Sequence, residues 1–262
     1  MQRSFPIPGQ AARFSALIAR ERRTRFTGGL LAPFWSVAVP MVWIGLVVGL
    51  FIIMDRRPPI AVGVEVFVAT GILPYAMFRQ TIGSMVRSLV AHRHMKLLAP
   101  LGDRDILTAA ALVEAANLVL VALVVFGGLA MIVGAPLPGD LWGVYTALAV
   151  TWLLAAGVGS LLALLNGVSE SFGRMLAVLL RPLFWISGLF YTATELSGPA
   201  RDLLWWNPLF HATELLREGY FHGYRSPIAE LWYPAAFGIV CLLAALCLQA
   251  RGPLNLSWWP GA

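Results

Sequence analysis

Charged residues are scarce in this sequence of 262 residues. Asp, Glu, Lys and Arg make up 12% of it, about half of their share in a typical soluble domain. Residues with apolar side chains make up 59%, and several apolar runs reach the roughly 20 residues that cross the hydrocarbon core of a membrane as a helix. This balance excludes a soluble globular domain and predicts an all-α polytopic membrane protein.

Lysine is nearly absent as well, since Lys96 is the only one. The residue before it is Met95, and no glycine-rich loop precedes it. The phosphate-binding pattern GxxxxGK[ST] is therefore missing. The patterns GxGxxG and HExxH are missing too, and residues 167–171 depart from the nucleophile elbow GxSxG at the last position. We therefore expect that this chain is not an enzyme and does not hydrolyse ATP by itself.

Few residues are suited to disulfide or metal chemistry. The two cysteines, Cys241 and Cys247, lie on one predicted helix in a poor geometry for a bridge. His92 and His94 point about 200° apart on a helix and cannot share a metal ion. We expect both histidines to be solvated at the membrane interface, and we predict no metal site.

The apolar runs divide into six predicted spans. They cover approximately residues 32–54, 60–86, 106–133, 141–165, a fifth run from residue 174 onward, and 232–248. Twelve basic residues lie in segments on one side of this arrangement and five on the other. Because basic residues accumulate on the cytoplasmic side, both termini are predicted to be cytoplasmic. The net charge of +6 is thus explained by membrane orientation. We predict no nucleic-acid partner.

Two small-residue patterns in the spans predict close helix packing. Gly45 and Gly49 form a GxxxG pair in the first span, and Ala155, Gly159 and Ala163 recur at four-residue intervals in the fourth. Small residues at such spacing let helix backbones approach each other within a membrane.

The chain divides into two regions. Residues 1–29 are predicted to form a cytoplasmic amphipathic interface helix, with an arginine-rich side that faces anionic lipid or serves only as a positive-inside anchor. Residues 30–262 are predicted to form the six-span transmembrane domain. Within it, residues 87–105 have an apolar edge and four basic residues, which indicates a cytoplasmic docking element.

Residues 192–226 depart from the pattern of a simple span. Breaks at Ser197-Gly198-Pro199 and Asn207-Pro208 leave pieces 199–206 and 208–218, about 12 and 16 Å long at 1.5 Å per residue. Asn207 can cap the second piece, with Pro208 at its first position and Gly219 just past its end. Neither piece spans a membrane alone. Two half-length helices on the outer side predict a periplasmic re-entrant hairpin before the last span.

Aromatic residues are concentrated around this hairpin. Residues 181–226 hold ten of the thirty Phe, Trp and Tyr residues. Trp205 and Trp206 fit an interfacial belt, whereas flat aromatic faces with polar tips suit sugar rings. For His211 the sequence leaves two roles open, a structural one and a hydrogen bond to substrate. The candidate residues of a substrate pathway are Phe184, Trp185, Phe190, Tyr191, Trp205, Trp206, His211 and Tyr220.

One acidic residue lies deep in a predicted span. Glu114, with Asn117 on the next turn, is about two turns into the third span. Because a charge inside a membrane needs a partner, we predict an ion pair between Glu114 and Arg79 or Arg181.

Four stretches carry a likeness to a known family: TGILPYAMFRQ (70–80), the segment 87–105, RPLFWISGLFY (181–191) and WNPLFHATELLREGYFHGY (206–224). With them the chain resembles, over nearly its full length, the membrane permeases of ABC transporters that export capsular polysaccharide and related glycans. Such permeases have six spans, an amphipathic N-terminal helix and a re-entrant helix pair. The resemblance implies a transmembrane subunit that moves lipid-anchored capsular polysaccharide across the bacterial inner membrane.

The resemblance also implies partners. They are a second copy of the chain, two separate ATPase subunits that carry ATP and Mg, and a periplasmic co-polymerase and outer-membrane exporter. The N-terminal helix and residues 87–105 match the contacts that couple permease to ATPase. The candidate coupling residues are Arg87, Arg93, His94, Lys96, Leu97 and Leu98.

Other functions stay open from the sequence. One is a membrane-embedded enzyme that acts on lipid-linked sugars through Glu114 or His211. Another is a non-catalytic scaffold that anchors a polymerising complex. Permeases for O-antigen or teichoic acid share the architecture, so another glycan is also an alternative.

Overall fold

The computed structural model describes residues 10–26, 31–92, 102–168 and 170–250, which form nine α-helices and no strand. The helices are α1 (Gln10–Phe26), α2 (Leu31–Ile53), α3 (Val64–Ala91), α4 (Asp103–Val133), α5 (Leu141–Val168), α6 (Glu170–Ile186), α7 (Gly198–Trp205), α8 (Pro208–Tyr220) and α9 (Trp232–Ala250). The predicted all-α class is confirmed.

In the part of the chain that the structure describes, four stretches of helix are long and apolar enough to cross a membrane: Phe34–Ile53, Asp103–Val133, Leu141–Gly167 and Trp232–Ala250. The second and fifth predicted spans correspond to α3, with 28 residues, and α6, with 17. Both helices carry arginines within their length. The count of six spans therefore stays a prediction.

The centre of the bundle is α5, which packs against α3, α8 and α9. Its small residues allow this close approach. Ala155 and Ala163 are buried, and a Cβ atom on Gly159 would lie 2.7 Å from the sulfur of Met85 on α3. The packing face predicted from residues 155–163 is confirmed.

Helices α5 and α9 cross at a pair of glycines. A Cβ atom on Gly157 would overlap the carbonyl oxygen of Gly238, and one on Gly238 would lie 2.8 Å from the Cα atom of Leu154. The two backbones are thus in direct contact. By contrast, an added Cβ on Gly45 or Gly49 meets nothing within 4 Å, so within the described ranges no helix of this chain occupies that GxxxG pair.

Helix α1 packs its apolar stripe on the start of α4. Leu17 is buried in one cluster with Ile106 and Leu107, whereas Arg22 and Arg23 are exposed. The amphipathic pattern of residues 10–26 therefore separates a protein-facing side from an arginine-rich outer side.

Helix α3 ends at a buried histidine that α1 covers. His92 Nδ1 lies 2.9 Å from the carbonyl oxygen of Ser88 and donates to it, because a carbonyl only accepts. Its Nε2 lies 3.8 Å from Glu21 Oε2 on α1. The expectation that His92 is solvated was wrong, since α1 shields this end of α3. His94 lies outside the described residues.

The two short helices predicted before the last span are present as α7 and α8. The Asn207 side-chain oxygen accepts a hydrogen bond from the Leu209 amide at 3.0 Å, which caps α8, and Pro208 follows it. Helix α8 continues through Gly219, which was expected just past its end. The carbonyls of Gly219 and Tyr220 accept hydrogen bonds from the amides before α5, at 2.8 and 3.0 Å.

Candidate functional site: a groove with aromatic and arginine ends

A groove of about 810 Å³ lies between α2, α3, α6 and the turn that follows α6. This volume is in the range of cavities that hold a small ligand. The residues that line the groove are Val39, Pro40, Trp43, Leu46, Val47, Leu50, Ile72, Tyr75, Ala76, Arg79, Gln80, Arg87, Arg181, Phe184, Trp185 and Phe190.

One part of the groove is an aromatic wall, formed by Trp43, Tyr75, Phe184, Trp185 and Phe190. The Phe184 ring centroid is 5.5 Å from that of Trp43 and 5.2 Å from that of Tyr75. The rings of Trp185 and Phe190 are stacked, with centroids 5.1 Å apart and planes 17° apart. Because 61% of Trp185 is exposed, the wall presents a flat aromatic surface to an incoming ligand.

The chain forms this wall by reversing after α6. Helix α6 ends at Ile186, and Gly188 has φ +78°, a conformation that glycine adopts without steric cost. A Cβ atom on Gly188 would lie 2.5 Å from the Phe210 ring. The absence of a side chain at Gly188 therefore lets the chain turn back, so that Phe190 stacks on Trp185.

The other part of the groove is an arginine end. Arg79 and Arg87 lie on α3, and Arg181 lies in the C-terminal half of α6, four residues before Trp185. Among the described residues that line the groove, none is acidic. Guanidinium groups bind phosphate and carboxylate through paired hydrogen bonds, so this end suits an anionic group.

The two ends together suit an amphipathic ligand that carries both sugar rings and a negative charge. Aromatic faces contact the apolar faces of sugar rings, while the arginines pair with the charge. Three of the eight candidate residues of a substrate pathway, Phe184, Trp185 and Phe190, line this groove.

Other predicted pathway residues lie elsewhere. Tyr191 donates a hydrogen bond from its hydroxyl to the Trp185 carbonyl at 3.2 Å, and its ring contacts Phe210. Trp206 is exposed at the end of α7 beside Trp205. Tyr220 is buried and donates to the Pro136 carbonyl at 2.9 Å.

His211 is fully buried, and both of its ring nitrogens are engaged. Nε2 lies 2.7 Å from the Trp205 carbonyl and donates to it, while Nδ1 accepts from the Glu230 amide at 3.4 Å. This pattern fits the neutral tautomer with the proton on Nε2. Through these hydrogen bonds His211 joins α7, α8 and the segment before α9.

Glu114 and its predicted partners line different cavities. Glu114 and Asn117 are buried beside a cavity of about 20 Å³, which has room for about one water molecule. Arg79 and Arg181 line the groove instead. The linings of the two cavities share Pro40, Ala76 and Gln80, and the ion pair of Glu114 with Arg79 or Arg181 stays a prediction.

Most candidate coupling residues fall outside the described part of the chain. Arg93, His94, Lys96, Leu97 and Leu98 do so. Arg87 is described and lies on α3, where its Nη1 is 3.0 Å from the position that a Cβ on Gly83 would take. Its side chain lines the groove, so the structure relates Arg87 to the arginine end.

A buried ionic cluster lies on α8 and was not predicted. Neither Arg217 nor Glu214 is accessible to solvent. Arg217 Nη1 donates to Glu214 Oε1 at 3.0 Å, and the Tyr224 hydroxyl donates to Glu214 Oε2 at 2.6 Å. Burial, and then the Glu214 carboxylate, raise the pKa of Tyr224, which keeps its hydroxyl a proton donor. Glu214 and Arg217 are three residues apart, which places them on one face of a helix. This spacing was the signal in the sequence that could have predicted the ion pair.

Comparison with known proteins gives one family match, to the family of ABC-2 type transporters, over residues 12–221. The chain is 29% identical over 246 residues to the polysialic acid transport protein KpsM of Escherichia coli, covering 91% of this chain and 93% of that protein. It is 25% identical over 242 residues to the capsule polysaccharide export inner-membrane protein CtrC of Neisseria meningitidis, covering 90% and 89%. It is 26% identical over 226 residues to the corresponding protein BexB of Haemophilus influenzae, covering 84% and 82%.

Proposed function

The chain belongs to the ABC-2 type transporter family, and from this premise we propose that it is the inner-membrane permease subunit of an ATP-driven exporter of capsular polysaccharide. The curated relatives bear names of capsule polysaccharide export and polysialic acid transport, and the likeness spans about nine tenths of the chain in two of the three. One observation carries the proposal to this molecule: the groove combines an aromatic wall with an arginine end.

The proposal includes a membrane arrangement. Helices α2, α3, α4, α5, α6 and α9 are the six spans, both termini are cytoplasmic, and α7 and α8 form a periplasmic re-entrant pair. In this arrangement α6 runs outward, so Arg181 lies nearer the cytoplasm than Trp185 and Phe190. A lipid-linked anionic glycan then meets the arginines first and the aromatic wall on its way out.

The proposal also includes a homodimer. Helix α2 borders the groove and has an exposed apolar side that includes Phe34, Trp35 and Trp43. Gly45 and Gly49 on it leave space for the approach of another helix. A second copy docked on α2 would close the open side of the groove and enclose a pathway between the two chains.

Energy for export comes, in this proposal, from two partner ATPase subunits that bind ATP and Mg. The contact to them is assigned to residues 87–105 and to α1, and a periplasmic co-polymerase and outer-membrane exporter receive the glycan. Support comes from the Glu21–His92 contact, which joins α1 to the part of that segment at the end of α3. Movement of α1 would thereby reach α3, which lines the groove.

Reconstitution tests the proposed function. Vesicles that contain the chain and its co-purified ATPase, with lipid-linked glycan on the ATPase side, should move glycan to the opposite side when ATP is added. Vesicles with a hydrolysis-deficient ATPase should not. Glycan movement by the chain without ATPase, or modification of the glycan without movement, would contradict the proposal and favour an enzyme acting on lipid-linked sugars.

A matched pair of tryptophans tests the aromatic wall. Both Trp185 and Trp206 are largely exposed, but only Trp185 lines the groove. We expect Trp185→Ala to lower the export rate at limiting glycan by about tenfold, since it removes one stacking contact of roughly 1 kcal/mol or more. Trp206→Ala should leave the rate within about twofold of the parent. Equal export rates for the two variants would show that the aromatic wall is not part of the substrate pathway.

A further inference from the structure

Helix α8 contacts both ends of the turn that carries the aromatic wall. At the beginning of the turn, the Asn207 side-chain nitrogen donates to the Ile186 carbonyl at 3.0 Å and to the Ser187 hydroxyl at 3.2 Å. The same side chain caps α8 through its oxygen. Asn207 thus fixes where α6 stops relative to the start of α8.

At the end of the turn, the contacts come from the buried ionic cluster on α8. Arg217 Nη1 donates to the Tyr191 carbonyl at 2.7 Å, and Glu214 Oε2 accepts from the Ala193 amide at 3.3 Å. These contacts hold the backbone immediately after Phe190. Between the two ends, Gly188 is seated on the Phe210 ring of α8.

Arg217 also fixes this assembly to α3. Its guanidinium lies 4.4 Å from the Phe67 ring centroid, and its Nη2 would be 3.1 Å from a Cβ on Gly71. Since α3 forms the facing side of the groove, Arg217 connects the two sides of the site. It is fully buried and lies outside the groove lining, so it does not touch a ligand there.

We propose that Asn207, Glu214 and Arg217 are positioning residues, through which α8 sets the stacked geometry of Trp185 and Phe190. The inference rests on the proposed function for its consequence in export, but the positioning itself is a property of the fold. Arg217 Nη1 donates both to Glu214 and to the Tyr191 carbonyl, while the guanidinium lies over the Phe67 ring. The ammonium of lysine, a compact charge on a shorter side chain, does not reproduce this set of contacts.

A fluorine label reports the stack directly. 4-Fluorophenylalanine is placed at position 190 in the full chain, and its ¹⁹F shift is recorded in detergent. Trp185→Ala gives the shift of an unstacked ring, and Trp206→Ala serves as a variant that leaves the stack intact. Asn207→Ser retains an oxygen to cap α8 but removes the amide nitrogen that donates to Ile186 and Ser187. Arg217→Lys retains the charge on a shorter side chain without the planar guanidinium.

Asn207→Ser and Arg217→Lys should both move the ¹⁹F shift toward the Trp185→Ala value. An unchanged shift in the two folded variants would overturn the proposal. If Arg217→Lys does not accumulate as folded protein, Asn207→Ser decides the question alone, because its helix cap is retained.

Export kinetics provide the second readout. Asn207→Ser should raise the apparent KM for glycan by about two- to tenfold, the equivalent of one aromatic contact, with kcat within about twofold. A fall in kcat at unchanged KM would show that α8 acts on another step and would contradict the proposal. If the ¹⁹F shift moves while glycan kinetics do not respond even to Trp185→Ala, the positioning stands and the proposed function of the groove fails.

Discussion

Replacing Gly157 with alanine is expected to lower the melting temperature of the protein on the order of 10 °C. The added Cβ atom would overlap the Gly238 carbonyl oxygen on α9, and a backbone atom cannot move aside without displacing its helix. Overpacking of a tight contact costs about 1–3 kcal/mol or more, and each kcal/mol lowers the melting temperature by roughly 2–4 °C in a protein of this size. Thermal unfolding in detergent, followed by circular dichroism or size-exclusion fluorescence, measures the shift.

Gly127→Ala is the matched control for Gly157→Ala. Gly127 is also within a long apolar helix, α4, but an added Cβ there meets nothing within 4 Å. The same substitution should therefore stabilise the helix slightly, by up to about 1 kcal/mol. A melting temperature for Gly157→Ala equal to that of the parent would show that α5 and α9 do not cross at these glycines.

This glycine pair illustrates why some contacts were not predictable from the sequence. Small residues repeated along one helix, such as Ala155, Gly159 and Ala163, revealed the packing face of α5. Gly157 and Gly238 lie on different helices 81 positions apart, and their contact depends on how α5 and α9 cross. Gly45 and Gly49 had the more familiar spacing, yet the described chain places no helix there.

The helical elements themselves were largely predictable, because their signals are local. Apolar run lengths gave the long helices to within a few residues, and Asn207-Pro208 marked the start of α8 through cap chemistry. Gly219 was misleading as a stop signal, since the carbonyls at the end of α8 are satisfied by amides from before α5. A partner that distant in sequence cannot be seen from the residues around the helix end.

The candidate site was predictable in part for the same reason. Phe184, Trp185 and Phe190 were found as a local aromatic cluster, and the structure places all three on the groove. Their assembly with Arg79 and Arg181 required the packing of α3 against α6. The ion pair of Glu114 with these arginines stays a prediction, because charge alone does not indicate which helix faces meet.

The arginine end of the groove supports the strongest functional prediction. The double variant Arg79→Gln, Arg181→Gln should lower the export rate at limiting glycan by about a hundredfold or more. Each charged hydrogen bond to an anionic group contributes roughly 1.5–3 kcal/mol, and 1.4 kcal/mol corresponds to tenfold. No acidic residue lines the described groove, so removing the arginines leaves no buried carboxylate there unpaired. The measurement is ATP-dependent glycan transport in reconstituted vesicles.

Two further variants separate the possible reasons for such a loss. Arg57→Gln removes a positive charge from an exposed site outside the groove and should leave export within about twofold of the parent. Arg79→Lys, Arg181→Lys keeps the charge that orients the spans but loses the paired donors of guanidinium. An export rate of the lysine variant between those of the parent and the glutamine variant would show that the arginines recognise phosphate or carboxylate by hydrogen-bond geometry as well as by charge. Parent-like export by the glutamine variant would mean that the anionic part of the substrate does not enter this groove.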